Sequence, residues 1–521
     1  MKTVQIKALV EKDEYLRSKL FCRGYLITDR RVDGDSYPFY GKWKRGSVGR
    51  YTVLTHPQQS FYHETDGKVE ICLIGHAYHL PSGEINESNI LRELLKLSSD
   101  RDGFFTYFNG LTGVFCLALA FPDKLIIIND AVSLQTVYYT EDARGFCASS
   151  HINLIGDLAG FVEDEYVSRL KKTRNFYLFG NQLPGDISRF SEVKLLIPNH
   201  CIRVREKAEP VRFYYPHGRK LGNEEIIKQT SELLQKTMRL IADKWERPAI
   251  SLTGGCDSKT TLAATNGLYD RYMYFSYDSQ PNEVPDVQAA RAICDDLGLP
   301  FVFYKIPYSD DELDRIEGIR QILMWNGGDI RANNPNDVRK RAYLDKILDF
   351  DVEVKSWASE IGRERYSKRY LGKKSFGKIP KPRKCTTFYK FLTNRKAVNE
   401  TDKVFADFID RYYKPDPNMP IPWQDQFYWE WHWPSRDGIT LSCEHMFSDE
   451  ITVPYNNRLI LELLLSPSQD DRYRDIVYTE IRNRLDPRID GACEGVVDVN
   501  HSKKRARLEL LYYRVNNLLP Y

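Results

Sequence analysis

The sequence predicts an α+β part built of stacked sheets, followed by an α/β part with a doubly wound parallel sheet. Three observations predict this. Strand-like segments dominate the first 215 residues, strands alternate with helices after them, and a glycine turn near residue 254 joins a short apolar strand to a helix. A chain of 521 residues is too long for one hydrophobic core. We therefore expect two domains, at residues 1–215 and 216–521.

Six strand-like segments and one helix account for most of the first part. The segments cover residues 25–28, 69–80, 113–121, 125–129, 137–139 and 145–149. The helix covers residues 88–98 and carries leucine and isoleucine on one face. Further strand-like pieces between residues 190 and 215 complete this part. Because strands are frequent and helices few, layered sheets are expected.

Helices and strands alternate in the second part. A helix at 223–243 is followed by a strand at 250–252, a helix that ends near 267, a strand at 272–276, a helix from 286 and a strand at 301–304. Such alternation requires right-handed crossovers and a mostly parallel sheet, whose ligands bind at the carboxyl ends of the strands. The glycine turn lies at one such end.

Charge, cysteine pattern and hydropathy exclude several classes of protein. The 75 Lys and Arg residues nearly balance the 72 Asp and Glu residues, which disfavours nucleic acid as a partner. The ten cysteines are scattered and form no Cys-x-x-Cys pair, which is typical of reduced, packed thiols. No window approaches the ~20 apolar residues of a spanning helix, and no signal-peptide core follows Met1. We expect a cytoplasmic protein without a membrane partner.

The turn at residues 253–258 has the features of an anion cradle. Its two glycines permit positive φ and close backbone approach, so free N–H groups, two hydroxyls and the helix dipole can surround a pyrophosphate. The carboxylate of Asp257 would repel phosphate oxygens unless a divalent cation lay between them, so it predicts Mg²⁺. The turn therefore predicts a bound magnesium–nucleotide. An ordinary glycine turn between a strand and a helix is the alternative.

These residues resemble the Ser-Gly-Gly-x-Asp-Ser pyrophosphate loop of the ATP pyrophosphatases, with Thr253 in place of the first serine. Asparagine, β-lactam and argininosuccinate synthetases belong to this group, and they split ATP between its α- and β-phosphates to adenylate an acid. The resemblance implies ATP and Mg²⁺ as cofactors, with the adenine near the end of the second strand. It assigns nucleotide contacts to Leu252, Thr253, Gly254, Gly255, Asp257, Ser258 and Ser276.

The first part resembles the glutaminase half of asparagine synthetases in the order of its segments, at 75–78, 109–115, 129–131 and 137–139 around one helix. That half is an N-terminal-nucleophile domain of stacked sheets. There the residue after Met is a cysteine, whose thiol and α-amine release ammonia from glutamine. This chain has Lys2 at that position, so we expect a retained but silent domain. Two alternatives are Cys22 as a nucleophile after removal of residues 1–21, and an unrelated sheet domain.

Residues 352–362 resemble the second signature of these synthetases, Ser-Gly-Glu-Gly-x-Asp-Glu. The resemblance implies that Glu360 is a catalytic residue and, with Asp257, a ligand of Mg²⁺. It also places Trp357 where asparagine synthetases have a functional glutamate. The alternative for Glu360 is a carboxylate stabilised by a helix N-terminus. The basic segment at 363–396 is either a solvated face or a lid for an acidic substrate.

Two further sites are expected toward the end of the chain. Lys503 and Lys504 open a last helix where the family has a lysine that stabilises negative charge in the transition state, and an ordinary basic helix tip is the alternative. Glu430 lies in the tryptophan-rich stretch 423–433. A buried carboxylate there either pairs with an arginine or, as a catalytic residue, deprotonates an amine.

The resemblance as a whole implies an asparagine-synthetase-like, AMP-forming carbon–nitrogen ligase. ATP would activate a small-molecule or peptide carboxylate, which an amine or ammonia would then attack. One alternative is a nucleotide-binding pseudoenzyme that serves as a scaffold. Another is a pyrophosphate-loop enzyme that forms no amide, such as one that inserts sulfur into RNA, but that chemistry usually needs catalytic cysteine pairs and a more basic chain.

Overall fold

The computed structural model describes residues 3–173, 176, 181–330, 334–366, 380–386, 395–413, 421–491, 507–508, 511 and 515. Two helices precede the first strand, α1 (Thr3–Lys12) and α2 (Glu14–Lys19). The side chain of Asp13 caps α2 by accepting a hydrogen bond from the backbone N–H of Leu16. The sequence prediction contained neither helix.

Twelve strands then form two six-stranded antiparallel sheets, with orders β10-β8-β9-β1-β3-β2 and β12-β11-β7-β6-β5-β4. Their bounds are β1 (Tyr25–Thr28), β2 (Lys44–Val48), β3 (Tyr51–Thr55), β4 (Phe61–Thr65), β5 (Glu70–His79), β6 (Leu111–Phe121), β7 (Lys124–Asn129), β8 (Tyr138–Asp142), β9 (Gly145–Ser149), β10 (Lys194–Leu195), β11 (His200–Val204) and β12 (Ala208–Arg212). The expected strands are present, and β2, β3 and β4 are additional.

The two antiparallel sheets stack and are covered by helices on both outer faces. Ile27 of β1 packs with Ile74 of β5 in the core between the sheets. The neighbouring Leu26 points the other way, because successive side chains alternate along a strand, and it packs with α5 (Ile152–Ala159). The opposite face is covered by α3 (Glu87–Lys96) and α4 (Arg101–Asn109). Helix α6 (Glu165–Lys171) follows α5. The predicted stacked sheets are confirmed.

A five-stranded parallel sheet forms the centre of the second part, with order β15-β14-β13-β16-β17. Its strands are β13 (Pro248–Ser251), β14 (Met273–Asp278), β15 (Phe301–Lys305), β16 (Val352–Val354) and β17 (Ile451–Thr452). The chain moves outward from β13 to β15 and then returns to the other side of β13. The order therefore reverses between β13 and β16, which is where ligands bind in such sheets. The predicted doubly wound sheet is confirmed.

The helices of the second part have the following bounds: α7 (Asn223–Lys244), α8 (Cys256–Ala263), α9 (Val284–Leu297), α10 (Ile316–Asn326), α11 (Pro335–Ile347), α12 (Pro382–Thr386), α13 (Arg395–Tyr412), α14 (Trp423–Phe427), α15 (Ile439–Cys443), α16 (Arg458–Leu465), α17 (Gln469–Tyr473), α18 (Ile476–Leu485) and α19 (Arg488–Gly491). A π-helix at Tyr428–Gly438 continues α14. Helix α8 ends four residues before the predicted end at 267. None of the helices in the described ranges combines the length and apolarity needed to cross a membrane.

The segment before β1 joins the two parts. The ammonium of Lys19 pairs with the carboxylate of Asp345 on α11 and donates to the carbonyl of Phe447 at 3.0 Å. The phenol of Tyr15 donates to the same carboxylate at 2.8 Å. Asn326 at the end of α10 accepts from the backbone N–H of Phe21 at 2.8 Å. These contacts fix α10 and α11 against the first part. The predicted boundary at 215/216 falls between β12 and α7.

Candidate functional site

The glycine loop leaves β13 at the point where the strand order reverses. The backbone N–H of Thr253 donates to the hydroxyl of Ser258 at 3.3 Å, and the two hydroxyls lie 3.0 Å apart. Gly255 is the N-cap of α8, and no side chain caps this helix. The positive end of the helix dipole and the first N–H groups of α8 therefore face the crevice without a capping side chain.

The two glycines do not have the positive φ that the sequence suggested. Gly254 is required for a different reason, since a Cβ atom there would lie 3.0 Å from Cβ of Ala289 on α9. A Cβ atom on Gly255 would lie 3.2 Å from the hydroxyl oxygen of Thr253. The glycines thus allow close packing of the loop rather than an unusual turn.

A cleft of about 390 Å³ opens beside the loop. Six of the seven predicted nucleotide contacts line it, namely Leu252, Thr253, Gly255, Asp257, Ser258 and Ser276. Gly254 is not among its lining residues and packs on α9 instead. The structure therefore brings the loop together with the end of β14, where the adenine was expected.

The carboxylate of Asp257 already has two partners. The hydroxyl of Ser359 donates to Oδ1 at 2.5 Å, and Nη1 of Arg363 lies 2.6 Å from Oδ2. Arg363 in turn makes a two-bond pair with Asp475, with both distances 2.9 Å. The sequence placed Arg363 at the start of a basic segment and did not predict this contact. Of that segment, the structure describes residues 363–366, 380–386 and 395–396.

Glu360 is near enough to Asp257 for the charge of Asp257 to act on it, but it does not line the cleft. It belongs to a 3₁₀ turn (Ser359–Gly362) that follows Ala358, which has a left-handed φ of 68°. Its Oε2 atom is shielded from solvent and accepts no hydrogen bond from the described residues. Burial and the nearby charge of Asp257 raise the pKa of Glu360 to about 7. The positive charge of Arg365 acts in the opposite direction and lowers the pKa of Glu360.

These carboxylates fit the predicted magnesium site only in part. The unpartnered oxygen of Glu360 is suited to a hard cation, which prefers oxygen ligands. Asp257 does not fit as an open ligand, because Arg363 and Ser359 occupy its two oxygens. The described residues contain no group of three or more metal-ligating side chains. We therefore revise the assignment of Asp257 as a metal ligand.

The cleft also has lining residues from three separate segments, of which only Trp357 was singled out from the sequence. Lys355 follows β16 directly and pairs with Glu353 at 2.5 Å. Arg341 on α11 donates to Ser448 at 2.9 Å. The indole of Trp357 lies 5.0 Å from the imidazole of His445, centroid to centroid. The one usable signal was the place of Lys355 at the carboxyl end of a parallel strand.

Glu430 lies away from the cleft. Its carboxylate accepts two hydrogen bonds from Arg212, at 2.6 and 2.8 Å, and further bonds from Asn199 at 3.0 Å and Gln426 at 3.1 Å. It does not line the cleft. The geometry supports the ion-pairing alternative, and the catalytic assignment of Glu430 is corrected.

Three predicted positions lie outside the described residues, namely Lys2, Lys503 and Lys504. Cys22 is described, and only 1% of it is exposed. Its thiol lies 3.1 Å from the side-chain oxygen of Gln58, and its backbone N–H donates to the carbonyl of Lys19 at 3.4 Å. In the uncleaved chain the nitrogen of Cys22 is a peptide nitrogen, and it would become an α-amine only if residues 1–21 were removed.

Neither a protein-family model nor a curated protein matches this chain. Partial likenesses among solved structures include the allosteric regulatory enzyme of purine biosynthesis, with 11% identity, a TM-score of 0.24, and coverage of 57% of this chain and 62% of that one. A glutamine phosphoribosylpyrophosphate amidotransferase from B. subtilis, in complex with ADP and GMP, has 11% identity and a TM-score of 0.21, with coverage of 69% of this chain and 74% of that one. A glutamine-dependent NAD⁺ synthetase from Acinetobacter baumannii, in complex with ADP, has 14% identity and a TM-score of 0.18, with coverage of 37% of this chain and 42% of that one. The chain spans 62% of the first of these structures, and scores this low carry no argument about function.

Proposed function

We propose that this protein is an ATP-dependent, amide-forming enzyme of the asparagine-synthetase type. The observation that carries the proposal is the uncapped N-terminus of α8, which opens with the hydroxyls of Thr253 and Ser258 into a cleft at the reversal point of a parallel sheet. A site of this kind binds the pyrophosphate group of a nucleotide. Ser276 and Tyr277 line the same cleft where the adenine would lie.

The proposed reaction has two steps. A carboxylate oxygen of the substrate attacks the α-phosphorus of ATP, the bond to the β-phosphate oxygen breaks, and pyrophosphate leaves. An amine or ammonia then attacks the acyl carbon, loses a proton, and releases AMP. Mg²⁺ bound with the nucleotide would offset the charge of the phosphates, and Glu360 would be a candidate ligand because its Oε2 atom has no hydrogen-bond partner, although it is buried and does not line the cleft.

The residues of the chain bind and orient the reacting groups. N–H groups at the start of α8 and the hydroxyl of Ser258 hold the pyrophosphate, whose negative charge grows as it leaves. Lys355, Arg341 and Trp357 form the wall of the cleft beside the loop, where an acid substrate would lie. Lys503 and Lys504 remain proposed donors to the developing negative charge, and separate Lys→Met variants distinguish between them.

The nitrogen source of the proposed reaction is ammonia or an amine substrate rather than glutamine. Glutamine hydrolysis by the first part requires a cysteine with a free α-amine. Cys22 provides none, because α1 and α2 precede it and its thiol is buried. The first part then acts as a structural domain that packs on the synthetase part.

Exchange of labelled pyrophosphate into ATP, measured with a panel of carboxylic acids, tests the proposal. Ser258→Ala is expected to lower the exchange rate by about 10- to 100-fold, because it removes one hydrogen bond to a charged group. Ser231→Ala is a matched control, since it removes a buried hydroxyl from α7 that does not line the cleft. Equal exchange in the wild type and the Ser258 variant would contradict the role of the loop.

A nucleotide-binding scaffold is the second candidate. The observation that favours it is the engagement of both oxygens of Asp257, which leaves the loop with fewer groups for chemistry. ATP binding without exchange for any acid would support the scaffold. Exchange that depends on one class of acid would rule it out.

A further inference from the structure

The positive charge of Arg363 lies directly beside the loop. The guanidinium of Arg363 lies 2.6 Å from Asp257, and its side chain is only 17% exposed. The same guanidinium stands 5.6 Å from the ring centroid of Tyr478 on α18. A buried carboxylate paired with a guanidinium retains much less negative charge toward its surroundings than an unpaired one.

Arg363 is held in place independently of Asp257. Its Nε and Nη2 atoms bond the two oxygens of Asp475, which has a left-handed φ of 58° and precedes α18. A two-bond arginine–carboxylate pair fixes the plane of the guanidinium. Nη1 is therefore directed at Asp257 by a separate anchor, and its position does not require a nucleotide.

This arrangement reduces the need for a metal ion to offset the charge of Asp257. A free carboxylate beside phosphate oxygens repels them and needs a divalent cation between them. Here Arg363 already compensates Asp257, and the hydroxyl of Ser359 occupies its other oxygen. The groups that remain for an anion are the hydroxyls of Thr253 and Ser258 and the N–H groups at the start of α8, which attract a pyrophosphate without a cation. The N–H of Gly254 donates to Asp286 at 3.3 Å, and the N–H groups of Thr253 and Gly255 donate to hydroxyls within the loop.

We infer that Arg363 neutralises Asp257 in place of a divalent cation, so that a pyrophosphate group binds this loop with little dependence on Mg²⁺. The inference rests on the proposed function only in that the loop must bind a pyrophosphate group. It makes Arg363 a positioning residue, which acts on the ligand through the charge of Asp257. Catalytic turnover is not needed to test it.

The test measures the Kd of ADP for the full chain by titration calorimetry, in buffer with Mg²⁺ and in buffer with EDTA. For the wild type the two values should agree within about threefold, since the charge of Asp257 is already offset. In Arg363→Met the affinity in EDTA should fall by about tenfold or more, and Mg²⁺ should restore most of it. Adding Asp257→Asn to that variant should remove the requirement for Mg²⁺ again.

Lys259→Met is the matched control, because it also removes a cation, this time from α8 itself, but its partner is Asp490 at 2.9 Å rather than Asp257. It should leave the ratio of the two Kd values unchanged. If Arg363→Met does not fold, the Asp257→Asn variant alone tests the inference. Binding in EDTA should then be at least as tight as in the wild type, because the positive charge of Arg363 remains, whereas a loss of Mg²⁺-stimulated binding would identify Asp257 as a metal ligand.

Three results overturn the inference. They are a wild-type Kd that worsens about tenfold or more in EDTA, an Arg363→Met variant with the wild-type ratio, and the absence of ADP binding under either condition. The first two leave the proposed function intact, and the third removes both. Metal-independent ADP binding without pyrophosphate exchange for any acid would leave the inference standing and remove the proposed function.

Discussion

The buried pair of Glu430 and Arg212 provides the sharpest test of how the two parts are held together. Glu430 is 0% exposed and accepts hydrogen bonds from Arg212, Asn199 and Gln426. Glu430→Gln keeps the shape of the side chain but removes its charge, which leaves the guanidinium of Arg212 buried without a counterion. Loss of one partner of a buried pair costs about 3–5 kcal/mol, so the free energy of unfolding should fall by that amount.

Urea unfolding followed by tryptophan fluorescence measures this change, because Trp429 and Trp431 flank Glu430 and are buried. Arg212→Met combined with Glu430→Gln should recover about 2 kcal/mol or more relative to the sum of the single changes, since neither charge is then left unpaired. Glu165→Gln is the control. Glu165 has a side chain 94% exposed, and its change should stay within about 0.5 kcal/mol.

A catalytic role for Glu430 would give the opposite pattern. Glu430→Gln would then unfold at the wild-type urea concentration, while pyrophosphate exchange or amide formation would be lost. That result would refute the structural role assigned here. The arginine partner adds a second criterion, because a catalytic carboxylate would give no recovery of stability in the double variant.

Three further predictions concern pH, packing and the first part. Burial holds the pKa of His151 near 3 and that of His200 well below 6.5, so the unfolded state binds more protons below about pH 6.5. Stability should then fall by about 2 kcal/mol per histidine on going from pH 6.5 to pH 5, and a flat urea midpoint over this range would contradict it. Gly362→Ala places a Cβ atom 2.7 Å from a leucine side chain of α16, so it should shift the turn that carries Glu360, lower the melting temperature and weaken ADP binding. Gly491→Ala is the control, because its Cβ atom would meet no atom within 4 Å, and it should change neither the melting temperature nor ADP binding. Cys22→Ala should leave amide formation from ammonia or amine unchanged, with glutamine hydrolysis at background in both proteins, and any loss of measurable hydrolysis would refute the silent first part.

The sequence predicted most of the strands that are apolar or alternate, although β3, which is apolar and mostly buried, was missed. The bounds of β1 and β9 agree with the prediction, and those of β5 and β6 differ by one or two residues. Strands β2 and β4 were missed because most of their side chains are exposed or half-buried and few are aliphatic, so no apolar pattern identifies them. They lie at sheet edges, where only one neighbour constrains the side chains.

The site was predictable where its residues are adjacent in the sequence and unpredictable where they are distant. Residues 251–258 form a local motif, and the structure places all of them except Gly254 and Cys256 on the cleft. Arg363 is 106 residues from Asp257 and 112 from Asp475, so no local pattern links it to either carboxylate. A run of basic residues after Arg363 made a solvated face the natural expectation. Only the three-dimensional fold shows that its first member is paired.

The segment before Cys22 bears on the alternative in which cleavage frees this residue as a nucleophile. Removal of residues 1–21 would take away Lys19 and Tyr15, both partners of the carboxylate of Asp345 on α11. That carboxylate would lose both partners, on the helix that also carries the cleft residues Lys340 and Arg341. Cleavage that frees the amine of Cys22 would therefore destabilise the wall of the cleft. A chain that begins at Cys22 is expected to unfold at lower urea concentration and to bind ADP more weakly than the full chain. Retained stability together with new glutamine hydrolysis would show that the segment is a removable leader instead.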